Sequence, residues 1–206
     1  TTRLQKAVIS LSELIEQGKT IGIIGGGQLG QMLTFAAKQA GMRVVILDPN
    51  PDCSAAQAAD SSIVAEYSDK KAIEELARRS DVLTYEFENV DLEALEDVSD
   101  KVLIPQGTEL LRITKDRLRE KTFLKEHGLQ VAPFAAVSCK EDLVSAIEEI
   151  GYPSVLKTCE GGYDGKSQLV LHTREDLKNA DELLEQGRCI LEGWVEFSME
   201  CSVMVA

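Results

Sequence analysis

The sequence predicts an α/β protein in which a doubly wound parallel sheet is followed by part of an α+β layer. Three observations point there. Short apolar runs alternate with amphipathic stretches from Thr20 to Ile104, the G-x-G-x-x-G pattern of Gly25 to Gly30 joins the first run to the first amphipathic stretch, and Pro105-Gln106-Gly107 breaks the alternation.

Taken in order, Thr20 to Ile24 reads as a strand, Leu29 to Gln39 as a helix and Val44 to Leu47 as a strand. Lys70 to Arg79 reads as a helix, Val82 to Tyr85 as a strand, Leu92 to Val98 as a short helix and Val102 to Ile104 as a last strand. Thr108 to Ile113 then opens a helical connection into different material. Asp116 to His127 is a helix with Gly128 as its C-cap, Phe134 to Val137 a strand and Lys140 to Ile150 a helix. Strands at Ser154 to Lys157, Gln168 to Leu171 and Cys189 to Glu192 surround a helix over Arg174 to Gln186. The expected domains are residues 1–107 and 108–206. The last residues, Glu200 to Ala206, read as an apolar strand, so the chain is expected to be the front part of a longer polypeptide.

With 206 residues, 44% hydrophobic and 28% charged, the chain has the composition of a globular protein with a substantial core. A formal charge of −13 argues against nucleic acid and anionic membranes as partners, because both repel an acidic surface. No apolar run reaches membrane-spanning length, and a cytosolic location is expected. The five cysteines are scattered without a C-x-x-C pair, which fits reduced thiols, and neither His127 nor His172 is given a role. No metal-ligating set is identified.

Two glycine-rich segments carry the chemistry. In the first, Gly25 to Gly30 opens a helix whose N–H groups favour an anion, and Asp48 ends the next strand at the spacing of a ribose-binding acid. That pattern alone leaves a nicotinamide-dependent oxidoreductase open. Glu86 and Glu88 follow the strand ending at Tyr85 and share a face by alternation, beside the same sheet edge. The second segment, Tyr152 to Gln168, sets Lys157 on an apolar strand and Lys166 within the loop Gly161-Gly162-Tyr163-Asp164-Gly165-Lys166-Ser167. Glycine N–H groups and two ammoniums suit a polyphosphate. A strand follows instead of a helix, so a hairpin closing over a nucleotide fits better than a P-loop.

Together, Gly25 to Gly30, Tyr85-Glu86-Phe87-Glu88-Asn89, Asp116-Arg117-Leu118 and Gly161 to Lys166 closely resemble 5-(carboxyamino)imidazole ribonucleotide synthetases of the ATP-grasp superfamily. The resemblance runs from about Lys19 to the chain end. It implies a pre-ATP-grasp domain followed by part of an ATP-grasp domain, and an ATP-dependent carboxylation of 5-aminoimidazole ribonucleotide by bicarbonate through carboxyphosphate. It also implies ATP contacts from Arg117, Lys157 and the loop Gly162, Tyr163, Asp164, Gly165, Lys166, Ser167 and Gln168. Glu192, Gly193, Trp194 and Val195 would frame adenine, with backbone groups of Glu192 and Val195 reading its edge, and Glu200 would hold the ribose. Gln28, Leu29, Glu86 and Tyr163 would meet the ribonucleotide, and Lys157, Tyr163, Asp164 and Lys166 the reacting groups. A homodimer and magnesium are implied as well, with the magnesium ligands expected beyond Ala206, so that this stretch alone would be inactive. Ser167 stands where the family carries glycine, which would stiffen the loop. A catalytically incomplete nucleotide-binding module remains a further reading.

Overall fold

The computed structural model describes residues 15–161 and 167–203. It divides into two compact units, Thr1–Leu111 and Arg112–Ala206, each with its own sheet. Among the described residues no helix is long and apolar enough to cross a membrane.

In the first unit β1 (Thr20–Ile24), α1 (Gln28–Gln39), β2 (Arg43–Asp48), β3 (Ser61–Val64), α2 (Lys70–Arg78), β4 (Val82–Tyr85) and α3 (Leu92–Val98) follow one another. The strands lie in the order β3-β2-β1-β4, all parallel. Successive residues of β2 serve opposite faces. Val45 and Leu47 pack with Ile73, Leu76 and Leu95 of α2 and α3, while Val44 and Ile46 pack with Ala37 of α1. Covering both faces is what makes a parallel strand read as an unbroken apolar run, and burying each of the Val, Leu and Ile side chains stabilises the sheet by roughly 1.5–3 kcal/mol. Asp69 and Asp91 cap α2 and α3 by accepting from backbone N–H groups of the first turn.

The second unit follows α4 (Glu109–Thr114), which contains the break. It comprises α5 (Arg117–Glu126), β5 (Phe134–Val137), α6 (Lys140–Ile150), β6 (Ser154–Thr158), β7 (Gln168–Leu171), a 3₁₀ turn (Arg174–Asn179), α7 (Asp181–Gln186) and β8 (Cys189–Gly193). Its sheet is antiparallel in the order β5-β8-β6-β7. Leu156, Leu171 and Leu191 point from it into a core shared with Leu143 and Ile147 of α6 and Leu183 of α7.

Four expectations need correction. Edge strand β3 was not foreseen: Ser61-Ser62-Ile63-Val64 has no apolar run, and the strand exists because its backbone continues the ladder from β2. Val102 to Ile104 makes a single bridge, Val82 to Leu103, because Pro105 follows at once and cannot extend the pairing. The helix expected over Arg174 to Gln186 is two pieces. A capping box between Thr173 and Asp176 starts the tight turn, and Ala180, fully buried, separates it from α7. Residues 200–203 carry no strand.

Candidate functional site

The second unit gathers its cations around one carboxylate. Val155 stands opposite Glu192 across the β6–β8 pair, so Lys157, two residues on and on the same face, lies diagonal to Glu192. Lys157 Nζ donates to Glu192 Oε2 at 3.0 Å. From α5, Lys121 Nζ approaches the same oxygen to 3.2 Å. The Glu192 side chain is 9% exposed and the two lysines 22% and 27%, so the cluster is largely shielded from water while its ammoniums stay reachable. Gln168, at the start of β7, pairs directly with Lys157.

The same helix fastens the outgoing root of the glycine loop. Asp116 caps α5 by accepting from Leu118 N and Arg119 N, and its other oxygen pairs with Arg188. Arg117 donates its backbone N–H to the Cys159 carbonyl at 2.8 Å, and its guanidinium Nη1 to the carbonyls of Thr158 (3.0 Å) and Gly161 (2.7 Å). On the returning side, Thr158 N donates to the Ser167 carbonyl at 3.2 Å. A cavity of about 430 Å³ lies at this root, lined by Thr158, Cys159, Gly161, Ser167 and Arg188 among others. Burial, with the Asp116 charge nearby, pushes the Cys159 thiol up, so it is a poor nucleophile.

The remaining expected positions divide. Gly162, Tyr163, Asp164, Gly165 and Lys166 lie outside the described residues. Glu192 sits with its backbone inside the ladder between β5 and β6, and the backbone N–H groups of Gly193 and Trp194 donate to the carbonyls of Pro133 and Pro153. What meets Lys157 is the Glu192 side chain, a role that reading its backbone alone leaves out. Trp194, Val195 and Glu200 are exposed, in chain without regular structure.

In the first unit the glycine turn is satisfied from within. Asp48, buried, accepts from Gly26 N (2.7 Å), Asn50 N (2.8 Å) and the Tyr67 hydroxyl (2.6 Å). Burial and that bond together raise the Tyr67 phenol above its usual range. Glu86 accepts from Gly27 N at 3.2 Å and from Gly30 N, so its carboxylate occupies the anion position at the start of α1. Asp48 as a ribose acceptor, and the α1 amides as a pyrophosphate seat, are therefore both answered by the protein's own backbone and acids. Gln28 and Leu29 are exposed on the first turn.

The sequence reading missed Lys121 and Arg188. For Lys121 a signal existed: it follows Arg117 by four residues, which puts both on one face of α5. Among the described residues no group of three or more acids, histidines or cysteines is arranged to hold a metal ion.

Both parts of the chain match known protein families. Residues 18–115 match the ribonucleotide synthetase preATP-grasp domain and residues 122–206 the ATP-grasp domain. The chain is 49% identical over 193 residues to the N5-carboxyaminoimidazole ribonucleotide synthase of Bacillus subtilis (strain 168), a match covering 94% of this chain and 51% of that protein. The Staphylococcus aureus N5-carboxyaminoimidazole synthetase complexed with ADP superposes with a TM-score of 0.85 at 43% identity, over 88% of this chain and 48% of that one. The Aspergillus clavatus synthase in complex with ADP and 5-aminoimidazole ribonucleotide gives 0.80 at 28% identity, over 89% and 48%. The chain spans about half the length of the curated relatives it matches. With both domains matched in order and the relatives' name shared across sequence and structure, the chain belongs to the N5-carboxyaminoimidazole ribonucleotide synthetase family of ATP-grasp proteins.

Proposed function

We propose that this chain provides the ribonucleotide-binding domain and the phosphate-binding lysines of an ATP-dependent carbon–nitrogen ligase. The reaction carboxylates 5-aminoimidazole ribonucleotide with bicarbonate through carboxyphosphate, giving ADP, phosphate and 5-(carboxyamino)imidazole ribonucleotide, a step of purine biosynthesis. The observation that carries it is Lys157, fixed on β6 beside the glycine loop with its ammonium held by Glu192.

ATP, when bound, supplies the phosphoryl group that activates bicarbonate. Lys157 offsets phosphate charge from a rigid strand, so little reorganisation is needed when charge develops. Arg117 keeps the loop root in place through Thr158 and Gly161, and a phosphate contact from it is part of the same proposal. The loop residues Gly162 to Gln168 close over the phosphates, with Lys166 as the second cation and Tyr163 and Asp164 toward the reacting groups. Glu192 to Val195 border adenine, and Glu200 takes the ATP ribose. Gln28, Leu29 and Glu86 take the ribonucleotide. Magnesium, as the counter-ion of the ATP phosphates, is carried over on the family's likeness, with ligands other than any group of three or more acids, histidines or cysteines among the described residues. A homodimer and cytosolic placement are carried over on the family's likeness. Sedimentation equilibrium tests the first, and one species at the mass of a single chain removes it.

The deciding experiment is a thermal melt of the chain with ADP and magnesium, beside melts with NADH and NADPH. A ligand bound only by the folded state at about a hundredfold over its Kd adds about 2.7 kcal/mol, which moves Tm by several degrees. A shift with ADP alone is expected. A shift only with a nicotinamide cofactor overturns the assignment.

A further inference from the structure

One oxygen, Glu192 Oε2, holds two ammoniums, and only one of them was expected at a nucleotide site. Consider the cluster without Lys121. Glu192 is nearly buried and needs a cation, since an uncompensated buried carboxylate is strongly unfavourable. Lys157 would meet that need alone, and the pair would be neutral. A neutral pair has little attraction for polyphosphate. Adding Lys121 to the same oxygen leaves one positive charge in surplus, placed on β6 at the loop root.

Of the other cations around α5, Arg188 is paired with the Asp116 carboxylate, while Arg117, bonded to the neutral carbonyls of Thr158 and Gly161, keeps its charge and is the separate phosphate contact proposed above; neither shares the Glu192 carboxylate with Lys157. The position of Lys121 is also built in: α5 is capped by Asp116, its first N–H is tied to the Cys159 carbonyl, and Lys121 lies one turn beyond Arg117 on the same side.

We infer that Lys121 is a positioning residue of the nucleotide site, sharing the Glu192 carboxylate so that the Lys157 ammonium remains available to phosphate. The inference rests on Lys157 being the phosphate cation proposed above. It predicts an effect confined to the charged part of the ligand, and one that is undone by removing Glu192's charge.

The test is titration calorimetry of the 206-residue chain and three variants, Lys121→Met, Lys121→Arg and Lys121→Met/Glu192→Gln, with ADP and separately with adenosine. Losing one unit of nearby positive charge is expected to weaken ADP about tenfold in Lys121→Met, with adenosine binding unchanged. Lys121→Arg keeps the charge and stays within about threefold of the parent chain for ADP, the spread expected when one cation replaces another. In the double variant the carboxylate no longer claims Lys157, and ADP affinity returns to the same range. Equal loss of ADP and adenosine in Lys121→Met, no loss of either, failure of that variant to fold, or no recovery in the double variant each overturns the positioning role. A parent chain that binds ADP no better than adenosine removes the phosphate-site reading itself, and with it this inference.

Discussion

The two glycine-rich segments look alike in sequence and are opposite in electrostatics. At Gly25 to Gly30 the backbone donors meet the protein's own acids, Asp48 on Gly26 and Glu86 on Gly27 and Gly30, so the turn is neutralised from inside. At the β6 hairpin two lysines share one acid, Glu192, and positive charge is left over. A glycine turn after a strand therefore says that backbone approaches something closely. What it approaches depends on which charges the rest of the fold brings there.

The sharpest way to break this contrast is to remove the internal acid. Asp48→Ala leaves Gly26 N, Asn50 N and the Tyr67 hydroxyl without their acceptor in a buried site, and is expected to cost about 3 kcal/mol in urea unfolding. A loss below about 1 kcal/mol would mean that water serves those donors and the turn is not self-contained. Gly30→Ala comes next. Its Cβ would collide with the Gly25 carbonyl oxygen, which is backbone and cannot step aside, so about 2 kcal/mol is expected. Unchanged stability would show the helix–turn contact to be loose.

On the other side, Lys157→Met should behave in reverse. Lys121 still partners Glu192, so unfolding should change by less than about 1 kcal/mol, while ADP affinity falls roughly thirtyfold, the scale of a charge-assisted phosphate contact. Stability loss without affinity loss would move Lys157 into the structural class with Asp48.

The smallest effect concerns Asp81, whose carboxyl is held below its ordinary value by the Thr20 N–H and then by Lys19. A depressed folded pKa gives stability that is present above the unfolded value near 3.8 and is lost as pH falls through the folded value. Asp81→Asn should therefore be less stable than the parent at pH 6, and the two should converge below pH 3.8. A gap that stays constant with pH would assign the difference to something other than titration.

How much of this was readable follows from where each signal resides. β1 and β2 were legible because strands buried on both faces spell continuous apolar runs, and α2, α3 and α5 because their apolar spacing or capping residues mark them. β3 was not, since an edge strand built on two serines owes its existence to β2. The acids at the carboxyl edge of the first sheet were found by type and place. Their direction, inward onto backbone, was not, because it depends on three-dimensional closure of the turn. Lys121 illustrates the same limit. Its position on α5 is local information, but its partner is set by the Val155 to Glu192 register, fixed by contacts between segments far apart in the chain.

α5 has no buried residue. It is joined to its sheet by the Asp116–Arg188 pair, the Arg117 contacts and the Lys121–Glu192 pair, with Lys125 over the Phe134 ring at 5.5 Å. An element held by a few polar contacts opens at a smaller free-energy cost than one held by apolar area, so α5 can part locally while the leucine core under α6 and α7 stays closed. The helix bordering the glycine loop is thus a lightly held clasp on a firmer body, and amide exchange in α5 should be faster than in the sheet beneath it.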